Sequence, residues 1–123
     1  MTKNKTILIV DDSESIRYLL KQSLEKIGFN TLLGCDGSDA LQYFDGREID
    51  FVITDYHMPN LDGISMIKEV RSRSQYQYLP IILLTTETQI NHKNEARQAG
   101  ATGWMVKPFN EEKLMSVIRK VMR

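Results

Sequence analysis

The chain has 123 residues, of which 41% are hydrophobic and 26% charged, a composition that excludes a disordered or collagen-like chain and fits one globular domain. Sixteen lysines and arginines balance sixteen aspartates and glutamates, so charge gives no reason to expect a nucleic-acid or membrane surface. One cysteine cannot form an internal disulfide, and no apolar run suits a signal peptide or a membrane span, which together predict a cytoplasmic protein.

In the first half of the chain, apolar runs alternate with amphipathic stretches. Ile7–Val10 is short and rich in β-branched residues, as expected of a strand that is buried on both faces. Apolar residues then recur at helical spacing over 16–27, with Ser15 as the predicted N-cap and Gly28 following the last turn. Two weaker elements are predicted next, a strand and a short helix, over Asn30–Gly34 and about Ser38–Phe44.

The second half of the chain continues the alternation. A helix carrying Ile64, Ile67 and Val70 is predicted after a loop marked by proline and glycine. The segment Asn91–Ala99 is polar and weakly amphipathic, so we expect that helix to be the least firmly packed. Asn110 is the predicted N-cap of a last helix. The remaining strands are predicted at Phe51–Thr54, Ile81–Leu84 and Trp104–Val106.

Five β–α units predict an α/β fold with a parallel, doubly wound sheet and helices on both faces, because each parallel crossover must be right-handed. The common small version has five strands in the order 2-1-3-4-5, with its switch point between the first and third strands. In such sheets the carboxyl ends of the strands form one crevice, where ligands bind.

Polar residues stand at four of these strand ends. Asp11 and Asp12 follow the first strand, Asp55 ends the third, Thr85 ends the fourth and Lys107 follows the fifth. Taken singly, each has an ordinary interpretation as a turn, a helix cap, a strand end or a solvated lysine. Their joint occurrence at successive strand ends favours one site at the crevice.

The residue types indicate the chemistry of that site. Two carboxylates about 4 Å apart repel by roughly 4 kcal/mol at an effective dielectric near 20, so three of them need a cation or a proton. Hard oxygen ligands suit Mg²⁺ or Mn²⁺, and no cluster of histidine and cysteine points to zinc. A divalent ion beside a lysine is suited to phosphoryl transfer, in which a central carboxylate, here Asp55, can be the nucleophile.

Four motifs resemble the receiver domain of two-component response regulators along nearly the whole chain, and the resemblance implies the flavodoxin-like receiver fold. They are ILIVDDS at Ile7–Ser13, DFVITDYHMPNLDG at Asp50–Gly63, PIILLTT at Pro80–Thr86 and GATGWMVKPF at Gly100–Phe109.

The resemblance implies a role for each polar residue of the crevice. Asp11 and Asp12 correspond to the acidic pair of the Mg²⁺ site, and Asp55 corresponds to the phosphorylated aspartate. Thr85 corresponds to the switch hydroxyl that moves to the phosphoryl group, and Lys107 to the lysine that pairs with it. The family usually holds the peptide bond between Lys107 and the following proline cis.

Three flanking residues also take roles from the resemblance. The backbone carbonyl of His57 would complete the metal shell, and the side chains of His57 and Glu87 would tune dephosphorylation by governing how water reaches the phosphoryl group. Trp104 stands where a tyrosine or phenylalanine usually rotates inward with the switch threonine. Since tryptophan is bulkier, we expect its inward state to need more room or to differ in geometry.

The leading hypothesis is a single receiver domain over 1–123, with no output domain, that acts as a phosphorylatable switch. It resembles single-domain chemotaxis regulators of the CheY kind, which implies a CheA-like histidine kinase as phosphodonor. The expected readers are a flagellar-motor switch or another target protein, and a phosphatase is a further partner type. On this hypothesis the protein is not an enzyme beyond a slow autodephosphorylation.

Two alternatives remain open from the sequence. A phosphorelay shuttle would pass the phosphoryl group from Asp55 to a histidine phosphotransfer protein. A haloacid-dehalogenase-type phosphatase also uses an aspartate and Mg²⁺, but it requires a DxD pattern after its first strand, where this chain has adjacent Asp11 and Asp12. Turnover of a phosphomonoester would favour the enzyme, and a stoichiometric, labile phosphorylation would favour the switch.

Overall fold

The computed structural model describes residues 4–86 and 92–121, and over these ranges β-strands and α-helices alternate along the chain. The strands are β1 (Thr6–Val10), β2 (Asn30–Gly34), β3 (Phe51–Asp55), β4 (Ile81–Thr85) and β5 (Gly103–Val106). The α-helices are α1 (Glu14–Lys26), α2 (Gly37–Leu41), α3 (Gly63–Arg71), α4 (Lys93–Ala99) and α5 (Glu111–Val121), and a 3₁₀ helix spans Ser74–Tyr76.

All neighbouring strands pair in parallel, in the order β2-β1-β3-β4-β5, which confirms the predicted topology. Every residue of β3 and β4 is buried, as expected of central strands covered on both faces. The register aligns Val10 with Thr54 and Asp55 with Leu84, so the carboxyl ends of β1, β3 and β4 lie at one edge.

The sheet separates two hydrophobic layers. One layer packs α2, α3 and α4 against the side chains of Leu8, Val52 and Leu83. The other packs α1 and α5 against Ile9 and Ile53. Because both faces are covered, the polar edge of the sheet is the surface on which side chains from several strands can meet.

The start of α1 differs from the prediction. Ser13, and not Ser15, is the N-cap, since its extended backbone lets its hydroxyl accept a hydrogen bond from the Ile16 N–H (3.3 Å). Ser15 therefore lies inside the first turn. The earlier start matters for the site because it brings the helix to within two residues of Asp11.

Other helix boundaries also differ from the prediction. The second helix ends at Leu41 and not at Phe44, and it is capped by Asp36. The Asn110 side chain accepts a hydrogen bond from the Lys113 N–H (2.8 Å), as expected of a cap of α5. The helix predicted over Asn91–Ala99 is observed as Lys93–Ala99, and Asn91 lies outside the described residues. Within the described ranges, no helix has both the length and the apolar character that crossing a membrane requires.

Candidate functional site

The structure brings three of the predicted acidic residues together at the carboxyl edge of the sheet. Asp11, Asp12 and Asp55 each offer a carboxylate oxygen within 4.8 Å of the other two. Asp11 is fully buried, Asp55 is 8% exposed and Asp12 is exposed. The cluster therefore has a buried base and one side open to solvent.

Lys107 lies inside this acidic cluster. Its Nζ is 3.1 Å from both Asp11 Oδ2 and Asp55 Oδ1. Burial opposes the charge of the ammonium, but the two carboxylates outweigh burial and raise the pKa of Lys107. The peptide bond between Lys107 and Pro108 is cis, as the family resemblance implies.

Asp55 has an elevated pKa despite its lysine partner. Burial is the main cause, the nearby charge of Asp11 adds to it, and the interactions with Lys107 and the Tyr56 N–H offset only part of the increase. Both of these donors reach the same oxygen, Oδ1, from Lys107 Nζ at 3.1 Å and from the Tyr56 N–H at 2.9 Å. No donor in the described part of the chain reaches Oδ2, so that oxygen is available for a ligand.

Asp11 is held more rigidly than the sequence suggested. Its Oδ1 accepts a hydrogen bond from the Ser13 N–H (2.9 Å), while its backbone carbonyl accepts one from Arg17 Nη1 (2.6 Å). Sequence reasoning missed Arg17, although its position one helical turn after the acidic pair is a signal that could have been used. Gly63 contributes from the opposite side, because a Cβ there would overlap the Asp55 carbonyl oxygen, so only glycine lets α3 begin this close.

Thr85 ends β4 next to the cluster. It is 4% exposed, and its hydroxyl has no hydrogen-bond partner among the described residues. A buried hydroxyl without a partner costs roughly 1–3 kcal/mol, and sites of this kind call for an explanation such as a missing ligand.

Trp104 is partly buried on the far side of Thr85 from the acidic cluster, and α4 covers it. Lys93 Nζ lies 5.2 Å and Arg97 Cζ 5.6 Å from the centroid of its ring, both within the range of cation–π attraction. A cavity of about 10 Å³, enough for one water molecule, lies between Trp104, Thr85 and α4.

An aromatic rim borders the open side of the site. Tyr56 stacks on His57, with ring centroids 6.5 Å apart, and contacts His92 at 5.5 Å. His92 also lies 3.4 Å from Glu95 through its Nδ1. The other residue predicted to tune dephosphorylation, Glu87, lies outside the described residues.

The donor set of the acidic cluster fits a hard divalent cation. Three carboxylate oxygens converge without histidine or cysteine ligands, which is the chemistry that Mg²⁺ and Mn²⁺ prefer. Burial raises the pKa of Asp55 and the nearby charge of Asp11 adds to the increase, which Lys107 offsets only in part. A bound cation would relieve this repulsion.

Comparison with known proteins agrees with this geometry. The family model for the response regulator receiver domain matches residues 7–119. The chain is 38% identical over 122 residues to chemotaxis protein CheY-3 of Vibrio cholerae, covering 98% of this chain and 94% of that protein. It is also 38% identical over 116 residues to chemotaxis protein CheY of Pseudomonas aeruginosa, covering 94% of each.

Solved structures show the same fold. Chemotaxis response regulator CheY4 of Vibrio cholerae superposes with a TM-score of 0.91 at 40% identity, over 97% of this chain and 99% of that one. The receiver domain of sensor histidine kinase PA1611 from Pseudomonas aeruginosa, described with a magnesium ion coordinated in its active-site cleft, has a TM-score of 0.88 at 26% identity, over 98% of each chain. With motifs, topology and the acidic edge in agreement, this chain belongs to the response regulator receiver domain family.

Proposed function

We propose that this protein is a stand-alone phosphoacceptor switch in which Asp55 receives a phosphoryl group from a histidine kinase. The observation that carries the proposal is the arrangement around Asp55, a buried carboxylate with one oxygen bound by Lys107 and the other without a donor in the described part of the chain. The alignment with the CheY-named relatives spans 94% of their length, which supports a role as a single receiver domain.

In the proposed transfer, Asp55 Oδ2 attacks the phosphorus of a phosphohistidine on the kinase. A P–O bond forms while the P–N bond breaks, the electron pair returns to the imidazole nitrogen, and that nitrogen takes up a proton from solvent. Lys107 Nζ, already 3.1 Å from the other oxygen of Asp55, neutralises negative charge on the transferred group. When Mg²⁺ or Mn²⁺ is bound by Asp11, Asp12, Asp55 and the His57 carbonyl, it supplies further positive charge to the phosphoryl oxygens.

The Thr85 hydroxyl is the proposed sensor of the phosphoryl group. Because it has no partner among the described residues, donating a hydrogen bond to a phosphoryl oxygen would remove the cost of its burial. Its movement would change the packing of Trp104 and α4, so we propose that the surface formed by α4, β5 and α5 signals the phosphorylated state.

The phosphorylated state is proposed to end by slow hydrolysis within the site, and not by enzymatic turnover of a substrate. His57 is exposed and stacks on Tyr56 at the open rim, where its side chain can restrict the approach of water. Glu87 is proposed to restrict water together with His57. This part of the proposal rests only on the resemblance to the receiver family.

The proposed setting is chemotaxis signalling in the cytoplasm. The CheY-named relatives support a CheA-like sensor histidine kinase as donor and a flagellar-motor switch or another protein as target, with a phosphatase as a further partner type. The equal numbers of acidic and basic residues support protein partners over nucleic acid.

Phosphorylation by acetyl phosphate in the presence of Mg²⁺ tests the proposal. We expect a stoichiometric, base-labile phosphoryl group on Asp55 of the wild type and none on Asp55→Asn, because an amide cannot act as the nucleophile. Mass spectrometry of intact protein and peptides provides the measurement. Full labelling of Asp55→Asn at another residue, or rapid turnover of a phosphomonoester, would refute the proposal.

A further inference from the structure

The loop that joins β3 to α3 carries His57 and is hydrogen-bonded to the start of α2. This helix takes no part in the proposed chemistry. From this contact we propose that Asp36 and Asn60 are positioning residues, whose hydrogen bond holds the loop so that the His57 carbonyl can serve as a metal ligand. The inference rests on the metal site of the proposed function and adds two residues to it.

A single side-chain hydrogen bond links the two elements. Asn60 Nδ2 donates to Asp36 Oδ2 at 2.7 Å, and Asp36 is only 7% exposed. The other oxygen of Asp36, Oδ1, accepts the Asp39 N–H at 2.7 Å and caps α2. These donors, first the Asp39 N–H and then Asn60, lower the pKa of Asp36, so it accepts both hydrogen bonds as a carboxylate.

A backbone contact reinforces the link. The Gly37 N–H donates to the Leu61 carbonyl at 3.1 Å, next to the bond from Asn60. A Cβ at Gly37 would lie 2.5 Å from that same oxygen, so a larger residue would push the loop away from α2. Asp36 and Gly37 thus hold two consecutive residues of the loop.

The loop needs this support because Asn60 has a left-handed backbone, with φ of 68°. Asparagine tolerates this conformation better than most residues, but it is still less favourable than the extended or helical regions. Asn60 is also the central residue of a tight turn, since the Leu61 N–H donates to the Pro59 carbonyl at 2.7 Å. Without the bond to Asp36, the segment is free to relax into a more open turn.

His57 lies between the remaining attachments of the loop. On one side, the Tyr56 carbonyl accepts the Gly63 N–H at 2.9 Å, and on the other, Met58 is 94% buried in the core. Because these attachments hold the loop on the core, we expect loss of the bond at Asn60 to change the turn and the direction of the His57 carbonyl while the overall fold is kept.

Two substitutions break the bond from opposite ends. Asn60→Gly keeps the left-handed backbone accessible and removes only the Nδ2 donor. Asp36→Ser keeps one oxygen to cap α2 and leaves none for Asn60. Asp39→Asn is the matched control, because it removes one negative charge in the same helix without touching the loop.

Titration with Mn²⁺ followed by electron paramagnetic resonance measures the metal affinity, and calorimetry with Mg²⁺ repeats it. We expect Asn60→Gly and Asp36→Ser each to weaken binding roughly tenfold or more, in the range typical of residues that orient metal ligands. The double variant should be no weaker than the weaker single variant, since both changes remove the same bond. Asp39→Asn should bind within about twofold of the wild type, since it leaves the bond intact.

Three other outcomes distinguish a failure of the positioning role from a failure of the proposed metal site. If the wild type binds and both variants bind equally well, the positioning role is wrong and the metal site stands. If the variants lose thermal stability without metal but keep their affinity, the bond is only structural and the inference is also wrong. If the wild type shows no saturable binding, the proposed metal site itself fails, and this inference fails with it.

Discussion

At the scale of single residues, the surroundings of Asp55 and its proposed chemistry favour different protonation states. The proposed chemistry needs its ionised form, while burial and the charge of Asp11 favour its protonated form and raise its pKa. A carboxylate that is stabilised too well would be a poor nucleophile, and one that is always protonated would not react. Lys107, 3.1 Å from Asp55 Oδ1, offsets part of the increase in pKa.

This conflict predicts how stability depends on pH without metal. An acid whose pKa is raised by folding destabilises the folded state at neutral pH, and the penalty disappears as pH falls through its folded pKa toward its ordinary value of 3.8. Asp55→Asn should therefore melt a few degrees higher than the wild type at pH 7. The difference should shrink as the pH is lowered toward 4 in thermal melts. A difference that is constant over this range would show that the charge of Asp55 is not its cause.

The two residues proposed to tune dephosphorylation predict a change in the lifetime of the phosphorylated state. His57→Ala and Glu87→Ala should each alter the decay rate of phospho-Asp55, because less or more water then reaches the phosphoryl group. Following the base-labile label by mass spectrometry after removal of acetyl phosphate gives the rate. Lys21→Ala, which removes an exposed ion pair with Glu25 within α1, is the control. Decay curves identical to the wild type for both variants would remove these residues from the mechanism.

At the scale of elements, the side chains of α4 do little to hold this helix against the rest of the protein. It buries only Ala96 and Ala99, two small side chains that contribute little apolar area. Its C-terminal end is fixed from outside, because Arg71 donates two hydrogen bonds to the Gly100 carbonyl, at 2.6 Å and 3.1 Å. Along its length, Lys93 and Arg97 place two cations over the ring of Trp104 in β5.

The geometry around Trp104 constrains how the switch can move. The cavity beside Thr85 holds about 10 Å³, which admits a water molecule and not an indole ring. The expectation that a tryptophan needs more room therefore has a physical basis here. In the proposed switch, an inward movement of Trp104 would therefore need further room, made by movement of Thr85 or of α4.

Trp104 is the only tryptophan, so its fluorescence reports this movement directly. Adding beryllofluoride with Mg²⁺, which imitates the phosphorylated aspartate, should change its emission, because α4 and its cations shift relative to the ring. Thr85→Ala should largely suppress the change, since the hydroxyl proposed to sense the phosphoryl group is lost. Thr31→Ala, on edge strand β2, should respond like the wild type. An unchanged emission, while a partner still binds only the activated protein, would contradict the coupling of Thr85 to Trp104.

At the scale of the whole molecule, balanced charge conceals a local imbalance. The chain has equal numbers of acidic and basic residues, yet three carboxylates and one lysine meet at one edge of the sheet. Repulsion within this edge opposes folding when no cation is bound. The molecule as a whole should therefore be more stable when the acidic cluster holds a divalent ion.

Mg²⁺ should raise the melting temperature, because it binds the folded state selectively. Binding at a concentration one hundred times the Kd would add about 2.7 kcal/mol to the free energy of unfolding. Asp12→Ala should reduce this gain most, since the exposed carboxylate of Asp12 is expected to bind the ion directly. Of the three carboxylates, it is also the one least involved in holding the fold. Asp39→Ala, outside the cluster, is the control. A variant lacking Asp12 that responds to Mg²⁺ as strongly as the wild type would argue against a metal site here.

Local patterns were enough to determine the fold class and the positions of most elements. Short apolar runs separated by amphipathic stretches have one common arrangement, because parallel crossovers are right-handed and short buried strands must be covered on both faces. From that arrangement followed the strand order and the convergence of Asp11, Asp55 and Lys107 at one edge.

Only the tertiary structure decided how each of these groups is held. Contacts between residues far apart in the chain, such as Asp36 with Asn60 or Lys93 with Trp104, leave no periodic signal, since they depend on the distance between elements and not on spacing within one. The raised pKa of Asp55 and the unpartnered hydroxyl of Thr85 likewise result from burial by the whole fold. The sequence by itself determined which residues meet at the edge of the sheet, and packing decided their hydrogen-bond partners, the direction in which burial and neighbouring charges shift their pKa values, and the room around them.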